Sequence, residues 1–169
     1  YGREALINEG FFETHTPKIV ATATEGGTDL FPMQYFDIPA YLNQSPQLFK
    51  QLCMSGGLER VFEVGPAFRA EKHDTYRHLN EFISFDIECS WATDDDVMGV
   101  LERMIHHMWD SVSKDEESQQ HIATINQYRA TQGEEPVEVI VPELPFPRVS
   151  YCDAIDIIKK KGGKIEWGD

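Results

Sequence analysis

Basic residues are scarce in this 169-residue sequence: 15 Lys and Arg stand against 29 Asp and Glu, for a formal net charge of −14. That balance excludes sequence-independent binding to duplex nucleic acid, which relies on Lys and Arg neutralising phosphates, and leaves room only for local contacts. Cysteine is sparse as well. Cys53, Cys89 and Cys152 lie far apart, without the paired spacing of a zinc site or the even count of a disulfide framework, and fit a reducing cytoplasm. No apolar run approaches the ~20 residues of a membrane span, so no membrane partner is expected, and no internal repeat or low-complexity tract occurs. A start methionine and a signal peptide are also missing. Tyr1 to Ile7 reads as a helix already under way, so the sequence is expected to be a piece cut at both ends.

What is present describes one ordinary globular domain of mixed α and β elements, strand-rich in its first half and helix-rich in its second. Arg3 to Glu9 reads as a helix end stopped by Gly10, and Phe11 to Val20 as an extended segment whose Pro17 suits an edge or boundary. Glu25-Gly26-Gly27-Thr28 is a flexible loop. Ser45 as N-cap and Pro46 as first helical residue predict a helix that puts Gln47 and Lys50 on one face. Val61 to Glu71 and Phe82 to Trp91 have strand character and suggest an antiparallel hairpin, with Gly65-Pro66 bending its first strand. From Thr93 onward, Val97, Val100, Leu101, Met104, Ile105 and Met108 follow helical spacing behind three acidic residues that favour the helix N-terminus. Glu116 to Arg129 prolongs the helical layer, and the Pro-rich run from Val137 to Pro147 is a connection. Ser150 with Asp153 makes a capping box for a helix ending at Gly162-Gly163, and Lys164 to Trp167 is expected as one more strand.

Period-two alternation puts Arg69 and Glu71 on one face of the first hairpin strand, and Phe82, Ser84, Asp86 and Glu88 on one face of the second. Ile83, Phe85 and Ile87 take the other face, which helices should cover. Two readings of the charged face stand side by side: a solvated sheet surface, which antiparallel sheets often carry, or a concave binding face for a polar ligand. His106 and His107 are adjacent on the long helix and point in different directions instead of converging on a metal, so they are read as structural or exposed and not as metal ligands.

Phe68-Arg69-Ala70-Glu71, a loop, and then Arg77-His78-Leu79-Asn80-Glu81-Phe82 resembles motif two of the class II aminoacyl-tRNA synthetases. Three further segments agree in order with the aspartyl branch of that family. Phe11 to Ile19 with Pro17 resembles motif one, Glu25 to Phe31 resembles the flipping loop, and Gln44 to Lys50 resembles the amino-acid-binding helix. The wording of His73 to Leu79 is similar to the archaeal and eukaryotic type, and the likeness covers essentially the whole sequence. Singly, a lysine on a helix is usually a solvated charge and Glu-Gly-Gly a turn. Their joint order is what makes the resemblance specific.

The resemblance implies an α+β catalytic fold, an antiparallel sheet flanked by helices, present only in part. The Gly-rich motif three and the N-terminal anticodon-binding domain are absent from residues 1–169, so this piece is expected to be inactive alone. It implies ATP-dependent conversion of L-aspartate to aspartyl-adenylate and transfer to tRNA(Asp), in a cytoplasmic homodimer joined through the Pro17 region. Arg69 is the implied catalytic residue, a planar fork contacting both the substrate carboxylate and the ATP α-phosphate. Glu25, Ser45, Gln47, Lys50, Arg69 and Asp86 are implied to bind aspartate, with Lys50 meeting its side-chain carboxylate. Arg69, Ala70, Glu71, Arg77, His78, Leu79 and Phe82 are implied to hold ATP, Phe82 by stacking on adenine. Mg2+ is expected to carry part of the phosphate charge. An asparaginyl-tRNA synthetase, an asparagine synthetase paralogue and a noncatalytic ligand-binding module are the alternatives.

Overall fold

The computed structural model describes residues 1–22, 30–72 and 79–165. Helix α1, Gly2–Asn8, ends where Gly10 takes φ 82°, a left-handed turn that costs glycine little. Two short strands follow, β1 at Phe12–Glu13 and β2 at Ile19–Val20. Next come β3, Pro32–Tyr35, and β4, Ile38–Leu42, then helix α2, Gln47–Ser55. The long hairpin strands are β5, Arg60–Phe68, and β6, Glu81–Cys89. Helices α3, Asp94–Lys114, α4, Glu116–Thr131, and α5, Tyr151–Lys160, complete the described chain. No helix among the described residues is long and apolar enough to cross a membrane.

These strands make two three-stranded sheets, one in the order β1-β5-β6 and the other β2-β4-β3. In the first, β5 and β6 run antiparallel from Arg60 opposite Cys89 to Phe68 opposite Glu81, as expected from the alternation. At Gly65-Pro66, where a bend is expected, the pairing runs on without interruption, Gly65 opposite Ser84 and Pro66 opposite Ile83. Proline is tolerated there because β1 flanks β5 only at Val61 and Phe62, which leaves Pro66 on an open side among the described strands. β1 joins β5 in parallel, Phe12 beside Val61 and Glu13 beside Phe62.

One face of this sheet is the apolar core. Leu6 of α1, Phe11, Phe62, and Val100 and Met104 of α3 are buried together, with Val64, Ile87 and Cys89 packed against them. A fully buried Leu or Phe contributes roughly 1.5–3 kcal/mol, so this small cluster is a substantial fraction of the net stability. Gly2 lets α1 come this close: a Cβ there would lie 2.6 Å from Phe85 Cε1 and 3.2 Å from Met108 Sδ. The helical cover is shorter than expected, since Ile83 remains 68 % exposed near the hairpin tip.

Local signals place the helices. Thr93 and Asp96 form the capping box that opens α3, with Thr93 Oγ1 accepting from the Asp96 N–H. Ser150 caps α5 by accepting from the Asp153 N–H at 3.1 Å. α2 starts one residue later than expected, yet Ser45 Oγ still accepts the Gln47 N–H at 3.1 Å. Between α4 and α5 the chain is pinned to α3 at Glu102, 6 % exposed, which accepts from the Arg148 guanidinium and the Phe146 N–H. Those two donors, Arg148 first, hold the Glu102 carboxyl below the usual carboxylate range. His106 Nδ1 lies 2.8 Å from Pro142 O and His107 Nε2 3.4 Å from Glu4, both structural contacts. The expected strand at Lys164–Trp167 is not seen up to residue 165, and the remainder lies outside the described residues.

Candidate active site

The polar face of the hairpin carries Glu63, Gly65 and Ala67 from β5 opposite Asp86, Ser84 and Phe82 from β6, with Glu88 at the far end opposite Val61. α2 lies against both strands and lowers Lys50 onto this face. Lys50 is only 2 % exposed, with its Nζ 3.3 Å from Glu88 and 3.6 Å from Asp86. The same ammonium donates to Ile87 O at 3.3 Å. The ammonium therefore has one main-chain acceptor and two carboxylates within ion-pair distance inside the chain. Gln47 Nε2 donates to Glu88 Oε2 at 3.0 Å, and Ser84 Oγ donates to Asp86 Oδ2. Asp86 and Gln47 thus join Lys50 in one network, with Ser45 at its edge through its bond to the Gln47 N–H.

That geometry changes the expected part of Lys50. A lysine left bare for an incoming carboxylate would be a buried, unpaired charge, which is expensive in a low-dielectric setting. Here two carboxylates already hold it, and the trio carries one net negative charge.

At the other end of the face, Arg69 lies just beyond β5 and its N–H donates to Asn80 O at 2.9 Å, extending the ladder by one step. Its exposed guanidinium sits over the half-buried Phe82 ring, 5.5 Å from the centroid, a cation–π contact. Ala70 and Glu71 are half-buried beside it, Leu79 is 63 % exposed, and Pro17 is exposed. Glu25, Arg77 and His78 lie outside the described residues.

Sequence reasoning passed over a second buried knot. Glu63, 2 % exposed, is paired with Lys18, and its Oε2 accepts from Thr16 Oγ1 at 2.7 Å. The period-two pattern that singled out Arg69 reaches Glu63 when run backwards, but its apolar neighbours Val61, Phe62 and Val64 hide it. Asn43, 1 % exposed, was likewise passed over as a polar residue between a strand and a helix.

A mixed antiparallel sheet backed by helices, with an arginine–aromatic stack and a buried lysine network on its polar face, has the form of a class II synthetase catalytic domain. The chain belongs to that class: the family model for tRNA synthetases class II (D, K and N) matches residues 1–167. The aspartate–tRNA(Asp/Asn) ligase of Archaeoglobus fulgidus is 50 % identical over 167 residues, which is 99 % of this chain and 36 % of that protein. The aspartate–tRNA(Asp) ligase of Thermoplasma volcanium is 48 % identical over the same share of both. Among solved structures, asparaginyl-tRNA synthetase of Pyrococcus horikoshii with asparaginyl-adenylate matches with TM-score 0.79 and 38 % identity, covering 99 % of this chain and 36 % of that one. The chain therefore spans about a third of the length of the relatives it matches.

Proposed function

We propose that the protein carrying this chain is an aspartate–tRNA ligase. It joins L-aspartate to ATP, releasing pyrophosphate, and then passes the aspartyl group from the adenylate to tRNA(Asp), releasing AMP. The observation that supports this best is the layout of the polar face, with Arg69 on Phe82 at one end and the Lys50 network at the other. Phe82 and Asp86 are four strand residues apart, ~13 Å at the usual rise. A ligand touching both ends has the reach of an amino acid joined to a nucleotide.

The α-carboxylate of aspartate is already a nucleophile near neutral pH, so the site's task is alignment and charge neutralisation rather than proton removal. Arg69 bridges that carboxylate and the α-phosphate; one carboxylate oxygen forms the new P–O bond as the bond to pyrophosphate breaks. Phe82 stacks on adenine, with Ala70, Glu71, Arg77, His78 and Leu79 around the nucleotide. Lys50, Gln47, Ser45 and Asp86 surround the amino-acid side chain, Glu25 draws in the ammonium group, and aspartate shares Lys50 with Asp86 and Glu88. Mg2+ bound chiefly through ATP phosphates needs only one or two protein carboxylates, and Glu71 fits that need. No larger group of ligating side chains occurs among the described residues, so no step is assigned to the metal. Exposed Pro17, with Ile19 53 % exposed and Phe12 60 % exposed nearby, suits a homodimer contact. The cytoplasm is the compartment for these substrates.

A second reading, an asparaginyl-tRNA synthetase, is favoured by the structural likeness to the Pyrococcus enzyme. ATP–pyrophosphate exchange by the full-length protein separates the two. Aspartate should support exchange far better than asparagine, and Arg69→Ala should cost roughly 2.7–4 kcal/mol of transition-state stabilisation. Exchange supported better by asparagine moves the assignment to the second reading, and near-normal exchange by Arg69→Ala removes its catalytic role.

A further inference from the structure

Asn43 follows β4 directly and is 1 % exposed. Its main-chain N–H donates to Lys18 O at 2.9 Å, and its side-chain Nδ2 donates to Pro17 O at 3.3 Å. Its main-chain oxygen accepts the Phe68 N–H at 3.1 Å, while its side-chain Oδ1 accepts the Ser45 N–H at 3.3 Å. One residue thus ties together three segments, alongside the Lys18–Glu63 pair and the packing of α2 on the hairpin. The segments are the stretch before β2 that holds Pro17, the end of β5 just before Arg69, and the turn into α2. The third link continues inward, because Ser45 Oγ takes the Gln47 N–H and Gln47 reaches Glu88, the partner of Lys50. The amide can sit only one way round, since flipping it would set a donor against the Ser45 N–H and an acceptor against Pro17 O.

We infer that Asn43 is a positioning residue for the adenylation proposed above: it fixes the separation between Arg69 and the Lys50-bearing helix, and links both to the Pro17 segment. It touches neither substrate. Loss of the Asn43 side chain removes the bonds to Pro17 O and the Ser45 N–H and keeps both main-chain bonds, so it loosens the turn into α2 while the end of β5 before Arg69 stays in place. Misplacement by about 1 Å costs on the order of a hundredfold in rate. The inference rests on the proposed ligase reading.

The test uses the full-length protein, with Asn43→Ala and Asn43→Asp compared with wild type in ATP–pyrophosphate exchange. Asn43→Ala should lower kcat about a hundredfold, with little change in the KM for ATP or for the amino acid. Asn43→Asp supplies a distinguishing signature. Its neutral carboxylic acid mimics the amide, one oxygen accepting from the Ser45 N–H and the O–H donating to Pro17 O; the ionised form has no donor for Pro17. The ratio of variant to wild-type kcat should therefore rise as pH falls. Lys18, Glu63, Arg69 and Lys50, the charged groups on the surrounding elements, are present in both proteins and set where along the pH scale the new carboxyl titrates, not the direction of the change. Wild-type kcat in Asn43→Ala, or an Asn43→Asp ratio that does not vary with pH, overturns the positioning role while leaving the ligase reading in place. If Asn43→Ala does not fold, the Asn43→Asp profile decides alone. A wild-type protein without exchange on aspartate or asparagine overturns the ligase reading and this role with it.

Discussion

Replacing Lys50 with Met keeps the length of the side chain and deletes its charge, which isolates the electrostatic part of the buried trio. At an effective dielectric of ~20, an ammonium this close to two carboxylates gains roughly 5 kcal/mol of Coulomb energy from each. Desolvation offsets much of that gain, and breaking a buried pair costs roughly 3–5 kcal/mol in practice, because a charge is left without its partner. Asp86 and Glu88 keep 25 % and 23 % of their side-chain surface in contact with solvent, and each retains a hydrogen-bond donor, Ser84 or Gln47. The lower end, about 3 kcal/mol, is therefore expected. Hydrogen exchange read at the amides of α2 and β6 measures this locally, and a loss of that size lowers protection on the order of a hundredfold. Adding Glu88→Gln to Lys50→Met should recover part of the loss, since it removes one of two like charges left facing each other. Unchanged protection in Lys50→Met, or a double variant worse than the single one, would refute the picture of Lys50 as a cation already matched inside the chain.

Gly2→Ala should destabilise the protein by about 1–3 kcal/mol, because the new methyl overlaps the rigid Phe85 ring; thermal unfolding measures it, and an unchanged midpoint would show that α1 shifts freely. Because the folded Glu102 carboxyl titrates below its unfolded value, its contribution is complete above the unfolded value and is lost as pH falls through the folded one. Protection of the Phe146 N–H should accordingly fall in wild type as acid takes the pH below the usual carboxylate range. Glu102→Gln should show weak protection that no longer depends on pH in that range; a wild-type acid limb retained in the variant would assign the effect to other groups.

Features written in short stretches of sequence were legible. Thr93 with Asp96 and Ser150 with Asp153 announce their helices because a capping box is a local hydrogen-bond pattern, and the β5–β6 hairpin follows from alternation over adjacent strands. The β3–β4 hairpin was not anticipated. Its turn puts Phe36 at φ 50°, a conformation that glycine or asparagine would have advertised and phenylalanine does not. The candidate site divides in the same way. Motif wording marked Arg69, Phe82, Gln47, Lys50 and Asp86, but not that Lys50 would also pair with Glu88, since that contact joins a helix to a distant strand. Asn43 and Glu63 escaped notice for a related reason: their partners, Pro17, Phe68, Lys18 and Thr16, are neighbours only after two sheets have come together.

The parallel contact between β1 and β5 has a consequence for how the chain tolerates changes of length. Parallel neighbours need a connection that crosses back over the sheet, whereas antiparallel ones can be joined by a loop at one end. Here the crossing is residues 14–59, which contains the second sheet and α2, while residues 69–80 merely close the hairpin. Residues added or removed within the crossing displace Lys50 relative to β6. Residues 69–80 join the adjacent ends of β5 and β6, so insertions there leave the paired register untouched. Changes of length between Arg69 and Asn80 therefore spare the paired register but bear on the nucleotide contacts proposed for Ala70, Glu71, Arg77, His78 and Leu79, whereas those between Thr14 and Glu59 bear on the placement of Lys50.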